Sequence, residues 1–162
     1  MPNIVPSVTE GTPITPYSVT TTTVQLFRFS AVTWNAHRIH YDTAYARSEG
    51  YPDVLVQSHL HGCFLANAVL AWAGPDARLQ SLRWENRAIA IAGNTLTVTG
   101  TITASRVADG RQVIEVDLEE RDQYGALCTP GHAVVVLPVP RPVGRSHQQA
   151  PTIHAENVPT HE

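Results

Sequence analysis

The chain predicts an α+β fold in which an antiparallel sheet curls around one long central helix. Three observations carry that expectation. A run of roughly 16 residues after Ser58 is apolar for most of its length. Four strand-like segments follow it, separated by Gly-containing turns. A single strand-like segment precedes it. A β–α–β–β–β–β order with one helix has few compact solutions other than a sheet wrapped on that helix.

Residues 1–17, with Pro2, Pro6, Pro13 and Pro16, read as an extended arm. From Ser18 to Val32 the Thr-, Val- and Phe-rich composition favours a strand. Thr33–Asp42 is expected to be a loop or short helical turn. Thr43–Glu49 reads as a helix that starts on Asp42 as its cap, ends at Gly50 and cannot continue through Pro52. In the central segment, Ser58 is the expected N-cap and Gly74 the stop, giving a helix of about 24 Å. From Cys63 onward only Asn67 interrupts the apolar run, and a helix apolar nearly all round belongs in an interior.

The wrapping comes from Leu79–Ala92, Thr95–Arg106, Arg111–Asp122 and Leu127–Val139, with turns at Gly93-Asn94, Asp109-Gly110 and Tyr124-Gly125. L-T-V-T-G-T-I-T and V-I-E-V-D-L-E-E alternate, which puts one apolar face of each against the core. Residues 18–140 form the expected domain, and 141–162, rich in proline, a mobile tail.

Composition removes several function classes. The net charge of −3 and the absence of a basic cluster argue against nucleic acid. All eleven basic residues are arginines, so no lysine is present for a Schiff base. Cys63 and Cys128 lack CxxC spacing and read as buried free thiols of a reducing compartment. No basic-then-apolar leader and no stretch long enough for a bilayer is seen, so a cytoplasmic protein away from membranes is expected. G-x-S-x-G, G-x-G-x-x-G and P-loop patterns are missing, which disfavours a serine hydrolase or a bound nucleotide cofactor.

What remains is the density of proton-transfer and hydrogen-bonding groups in F-R-F-S-A-V-T-W-N-A-H-R-I-H-Y-D, Phe27–Asp42, just ahead of the central helix. Such clustering beside a core element marks an active site. His37, His40, His59 and His61 have spacings that could chelate Zn²⁺, but no cysteine pair or H-E-x-x-H supports a metal, and none is expected. Trp34, Trp72 and Trp84 are expected in the core or an interface.

The motif W-N-A-H-R-I-H-Y-D resembles the D-x-N-P-x-H-x-D pattern of the MaoC-like hydratases and dehydratases. It is similar above all to the subgroup of 3-hydroxyacyl-thioester dehydratases type 2 and mesaconyl-CoA hydratases, where the asparagine form is usual. A-G-N-T-L-T-V at Ala92–Val98 and P-G-H-A-V-V at Pro130–Val135 extend the likeness over about residues 18–139. The resemblance implies a single hotdog fold that acts on acyl thioesters of coenzyme A or acyl carrier protein. No cofactor beyond that carrier is implied. It also implies sheet-to-sheet pairing into a homodimer or higher oligomer, with a related second subunit as the other option.

Carried over by position, Asn35 stands at the family's Asp, His37 at its Asn and His40 at its catalytic His. Where relatives read V-H-G-P-L, this chain has Val56-Gln57-Ser58-His59-Leu60. The family's Gly lends its N–H to the thioester oxygen; Ser58 keeps that N–H but adds a Cβ. Hydrating a 2-enoyl thioester requires a base for water, an acid for the α-carbon and donors for the enolate oxygen. The expected catalytic set is therefore His40 on water, Asn35 orienting it, and the Ser58 N–H. His37, Arg38, Gln57 and His59 are the expected substrate-binding residues: His37 and Arg38 for carrier phosphates, Gln57 in place of the customary histidine. Competing readings are simpler for several of them: Asn35 as a loop brace, Arg38 as a clamp to Asp42 or Glu49, His37 facing solvent. A hotdog thioesterase and a non-catalytic acyl-binding subunit are the rival functions.

Overall fold

The computed structural model describes residues 8–138; the expected tail at 141–162 and the first seven residues of the arm lie outside them. Nine elements follow in order: β1 Tyr17–Thr20, α1 Thr23–Thr33, a 3-10 turn Arg38–His40, α2 Thr43–Ser48, α3 Ser58–Ala73, β2 Arg78–Trp84, β3 Thr95–Ala108, β4 Arg111–Arg121 and β5 Leu127–Pro138. All five strands form one antiparallel sheet in the order β1-β3-β4-β5-β2. Arm residues 11–14 run along β3, where the Gly11 N–H donates to the Ile102 carbonyl (2.8 Å) and the Ile14 N–H to the Gly100 carbonyl (2.9 Å). This seats Ile14 in the core.

The period-two segments behave as their pattern dictates. Along β4, Ile114, Val116 and Leu118 point inward and are buried, in the same core cluster as Ala133, Val135 and Leu137 of β5 and Leu65 and Val69 of α3. Asp109 and Gly110 both take positive φ (50° and 67°), the backbone that a two-residue hairpin requires. Gly131 and Gly62 mark close approaches. A Cβ on the first would lie 2.8 Å from Leu65, and one on the second 2.7 Å from the Trp84 ring.

Four expectations are corrected. The strand foreseen for Ser18–Val32 ends at Thr20, and α1 begins three residues later. The Thr22 hydroxyl caps that helix by accepting from the Gln25 N–H (3.1 Å), and Leu26 and Ser30, four apart, supply its buried stripe. Trp34 ends it in a left-handed conformation (φ 54°), and its exposed ring excludes the core and leaves the interface half of the expectation. The strand expected over Leu79–Ala92 stops at Trp84, because residues 85–92 leave the sheet. There the Arg87 N–H turns back onto the Cys128 carbonyl (2.8 Å), and the Val56 N–H meets the Ala90 carbonyl (2.9 Å).

The N-cap of α3 is Gln57, extended and without a side-chain cap bond, so Ser58 is the first helical residue. Finally, α3 is wrapped on one side only. His59, Cys63, Asn67 and Ala71 recur at four-residue spacing as an exposed stripe, so Cys63 is not the buried thiol expected. Cys128 is buried, and burial pushes its thiol up to about 11.

Candidate active site

The motif loop is built by local hydrogen bonds. The Asn35 N–H donates to the Ser30 carbonyl (3.0 Å) and closes α1, while its Oδ1 accepts from the His37 N–H (3.2 Å). That is the Asx-type brace that asparagine favours, and it leaves the carboxamide nitrogen without a partner among the described residues. Asp42 caps α2 through the Tyr45 N–H (3.0 Å) and receives the Arg38 guanidinium at 2.6 and 3.1 Å. The Tyr45 N–H first, and Arg38 second, hold this carboxyl below the usual carboxylate range.

Beneath this loop the 3-10 turn is pinned to residues 54–56. The Leu55 N–H donates to the Ile39 carbonyl (2.9 Å), and the Leu55 carbonyl accepts from His40 Nδ1 (2.9 Å). A carbonyl can only accept, so Nδ1 carries the proton and Nε2 of the neutral ring is left as a base. Half-burial pushes the His40 pKa down, the Leu55 carbonyl opposes this, and the neighbouring His37 adds to it. The neutral form is thus favoured at working pH.

His40, Asn35, Ser58, His59, His61 and Arg87 line one cavity of about 390 Å³ at the start of α3. Ser58 and His59 lie in the helix's first turn, where N–H groups have no intrahelical partner. No backbone partner is found for either among the described residues. The Trp84 indole donates to the Ser58 carbonyl (3.1 Å) and lies 3.4 Å from its hydroxyl, which fixes the residue at the cavity wall.

Of the residues singled out by sequence, Asn35, His40, Ser58 and His59 therefore come together. Three do not. Gln57 is buried behind the wall, its amide donating to the Leu26 carbonyl (2.8 Å) and the Ser30 hydroxyl (2.9 Å); it ties α3 to α1 and is not a substrate contact. Arg38 is exposed, clamped to Asp42 and stacked 4.5 Å over the Tyr45 ring. His37 is exposed, with its ring 6.0 Å from that of His40, and is not part of the cavity lining. Among the described residues no three His, Cys, Asp or Glu side chains gather as a metal-binding group.

Sequence reasoning missed the most buried ionisable pair. His61 Nδ1 meets the Glu120 carboxylate, and both side chains are buried. A signal for it was present. In V-I-E-V-D-L-E-E the inward phase that places Ile114, Val116 and Leu118 in the core lands next on Glu120. A carboxylate in that phase demands a partner.

A curled five-stranded antiparallel sheet on one long helix, with this cleft at the helix start, is a hotdog fold. Many solved structures share the fold, among them two that this chain covers almost in full. A chain of the ChsH1-ChsH2 complex from Mycobacterium tuberculosis is 21% identical, over 81% of this chain and 99% of that one, with a TM-score of 0.72. The (R)-hydratase from A. caviae involved in PHA biosynthesis is also 21% identical, over 82% and 98%, with a TM-score of 0.73.

The family model of hydroxyacyl-thioester dehydratase type 2 matches residues 4–92, and the chain belongs to that family. A curated relative, the mesaconyl-C(4)-CoA hydratase of Chloroflexus aurantiacus, is 64% identical over 36 residues, 22% of this chain. That stretch spans only 13% of the relative's length.

Proposed function

We propose that the chain hydrates 2-enoyl thioesters, and runs the reverse dehydration of 3-hydroxyacyl thioesters, by acid–base chemistry that uses no cofactor. The supporting observation is that a pinned, neutral imidazole shares its cavity with a carboxamide and the open first turn of a helix. In this reading His40 Nε2 takes a proton from water while the Asn35 carboxamide orients that water. The oxygen adds to the β-carbon, and charge moves to the thioester oxygen. The N–H of Ser58 faces that oxygen, where a fixed donor stabilises the enolate more than the ground state.

The acyl group is carried on coenzyme A or a carrier protein, and the site is completed by a second hotdog subunit, a copy or a relative. Two features support the pairing: β2 is an edge strand, and α3 leaves one stripe uncovered. No helix among the described residues is long and apolar enough to cross a membrane.

Incubating the full chain with crotonyl-CoA tests the proposal through two signals. Loss of enoyl absorbance without free thiol is the expected result. Thiol release with the enoyl group intact would make it a thioesterase. Bound acyl-CoA with neither signal would make it a non-catalytic subunit.

A further inference from the structure

Hydration moves two protons, and the motif loop handles only one of them. His40 is placed to take a proton from water. Asn35 neither accepts nor releases one at working pH, because an amide does not titrate there. The α-carbon still needs an acid. We infer that His61, held by Glu120, is a second catalytic imidazole that delivers the proton to the α-carbon. This inference rests on the hydratase reading.

The pair is not explained by packing. Glu120 ends the inward row of β4, fully buried, opposite Thr129 of β5. A buried ion pair is rarely a net gain over apolar residues of the same shape. This one is also incompletely satisfied: Glu120 Oε2 and Thr129 Oγ1 have no hydrogen-bond partner among the described residues. Anchoring α3 to the sheet does not require it either, since Leu65 against Gly131 and Gly62 against Trp84 already do so. Glu120 also lies outside residues 4–92, which match the family model.

What separates a working dyad from a structural tie is the other edge of the ring. Nδ1 is engaged by Glu120, while His61 also lines the cavity that holds His40 and Asn35. Its second ring nitrogen has no partner among the described residues. A carboxylate behind an imidazole fixes its tautomer and ring orientation, which leaves the far nitrogen to exchange a proton with whatever occupies the cleft. Other cavity side chains fit the role poorly. The Arg87 guanidinium does not release its proton, and His59 is exposed, has its ring edge against Trp84 and has no carboxylate partner among the described residues.

The step balances without an added reagent. An O–H bond of water breaks toward His40 Nε2 as the C–O bond forms at the β-carbon. The π pair becomes an enolate, and the N–H of protonated His61 breaks as the α-carbon C–H bond forms. His40 ends with one proton more and His61 with one fewer, and exchange with cavity water resets both.

The test separates the two protons. The full chain and the variants His40→Ala, His61→Gln and Glu120→Gln are assayed for crotonyl-CoA hydration. They are also assayed for exchange of the α-protons of butyryl-CoA in heavy water, followed by NMR. The second reaction needs the α-carbon group but no activated water.

His61→Gln is expected to lose both activities by about 100-fold. His40→Ala is expected to lose hydration and keep exchange. Glu120→Gln is expected to lower kcat on both with KM unchanged and to displace the pH profile of exchange, which a purely structural role would not do. Hydration by His61→Gln within a few-fold of the parent overturns the inference. If the buried variants fail to fold, His40→Ala alone decides: loss of exchange together with hydration assigns both protons to His40 and overturns it. A parent that hydrates without exchanging also overturns it. A parent that does neither overturns the hydratase reading itself.

Discussion

The two ends of the central helix obey different rules. Toward its C-terminus, Val69 and Ala73 lie in an apolar core with Ile114, Val135 and Leu137. At its N-terminus, Gln57, His61, Glu120 and Thr129 are buried polar groups, and the three buried side-chain oxygens without partners among the described residues all belong to this set. Leaving a buried polar group unpaired costs about 1–3 kcal/mol. The dry end is built for stability, and the wet end gives some of it up by keeping polar groups buried beside the cleft.

That contrast can be broken by mutation. His40→Ala should give the largest effect: hydration of crotonyl-CoA falls by roughly 10²–10⁴-fold while acyl-CoA binding and the urea midpoint stay near the parent's. Leu65→Ala probes the opposite property. Leu65 is fully buried against Gly131, so urea unfolding should show a loss of about 2–5 kcal/mol, with turnover per folded molecule nearly unchanged.

Gln57→Leu tests whether position 57 belongs to the scaffold. Removing the amide that serves Leu26 and Ser30 should cost about 1–3 kcal/mol in urea unfolding and leave KM within a few-fold. A large KM change would return Gln57 to the site. Asp42→Ala, which removes the cap of α2, should lower the thermal midpoint less than Leu65→Ala does.

The smallest effect concerns pH. Burial and then His37 hold the His40 pKa below the ordinary value near 6.5, and in the proposed reaction the base works only when neutral. Activity should therefore persist on the acid side of that value and fall as pH drops through the lowered pKa. His37→Gln removes a like charge, so the acid limb of the pH–rate profile should move slightly upward.

Much of this arrangement is legible in the chain. The strands β3 to β5 announce themselves because period-two alternation and Gly turns have one cause, a half-buried sheet. His40 and Asn35 are legible through the motif. α1 is not, because T-V-Q-L-F-R-F-S-A-V has strand composition, and only the Thr22 cap and the packing of Leu26 and Ser30 make it a helix. The error propagates: with α1 read as a strand, nothing could tell that Gln57 would be claimed by its Leu26 carbonyl. Glu120 was in phase with the core and could have been flagged as a buried carboxylate, but its partner His61 sits 59 positions away.

Hydratase chemistry here requires that an acyl thioester enter the cleft at the start of α3. Imidazole-edited NMR of the chain titrated with butyryl-CoA, which cannot be hydrated, reads this directly. Saturable shifts of the His40 and His61 ring signals, with His132 beside Asp117 on the other face of the sheet unmoved, are the expected result. Saturable binding that leaves both cleft imidazoles undisturbed would contradict it.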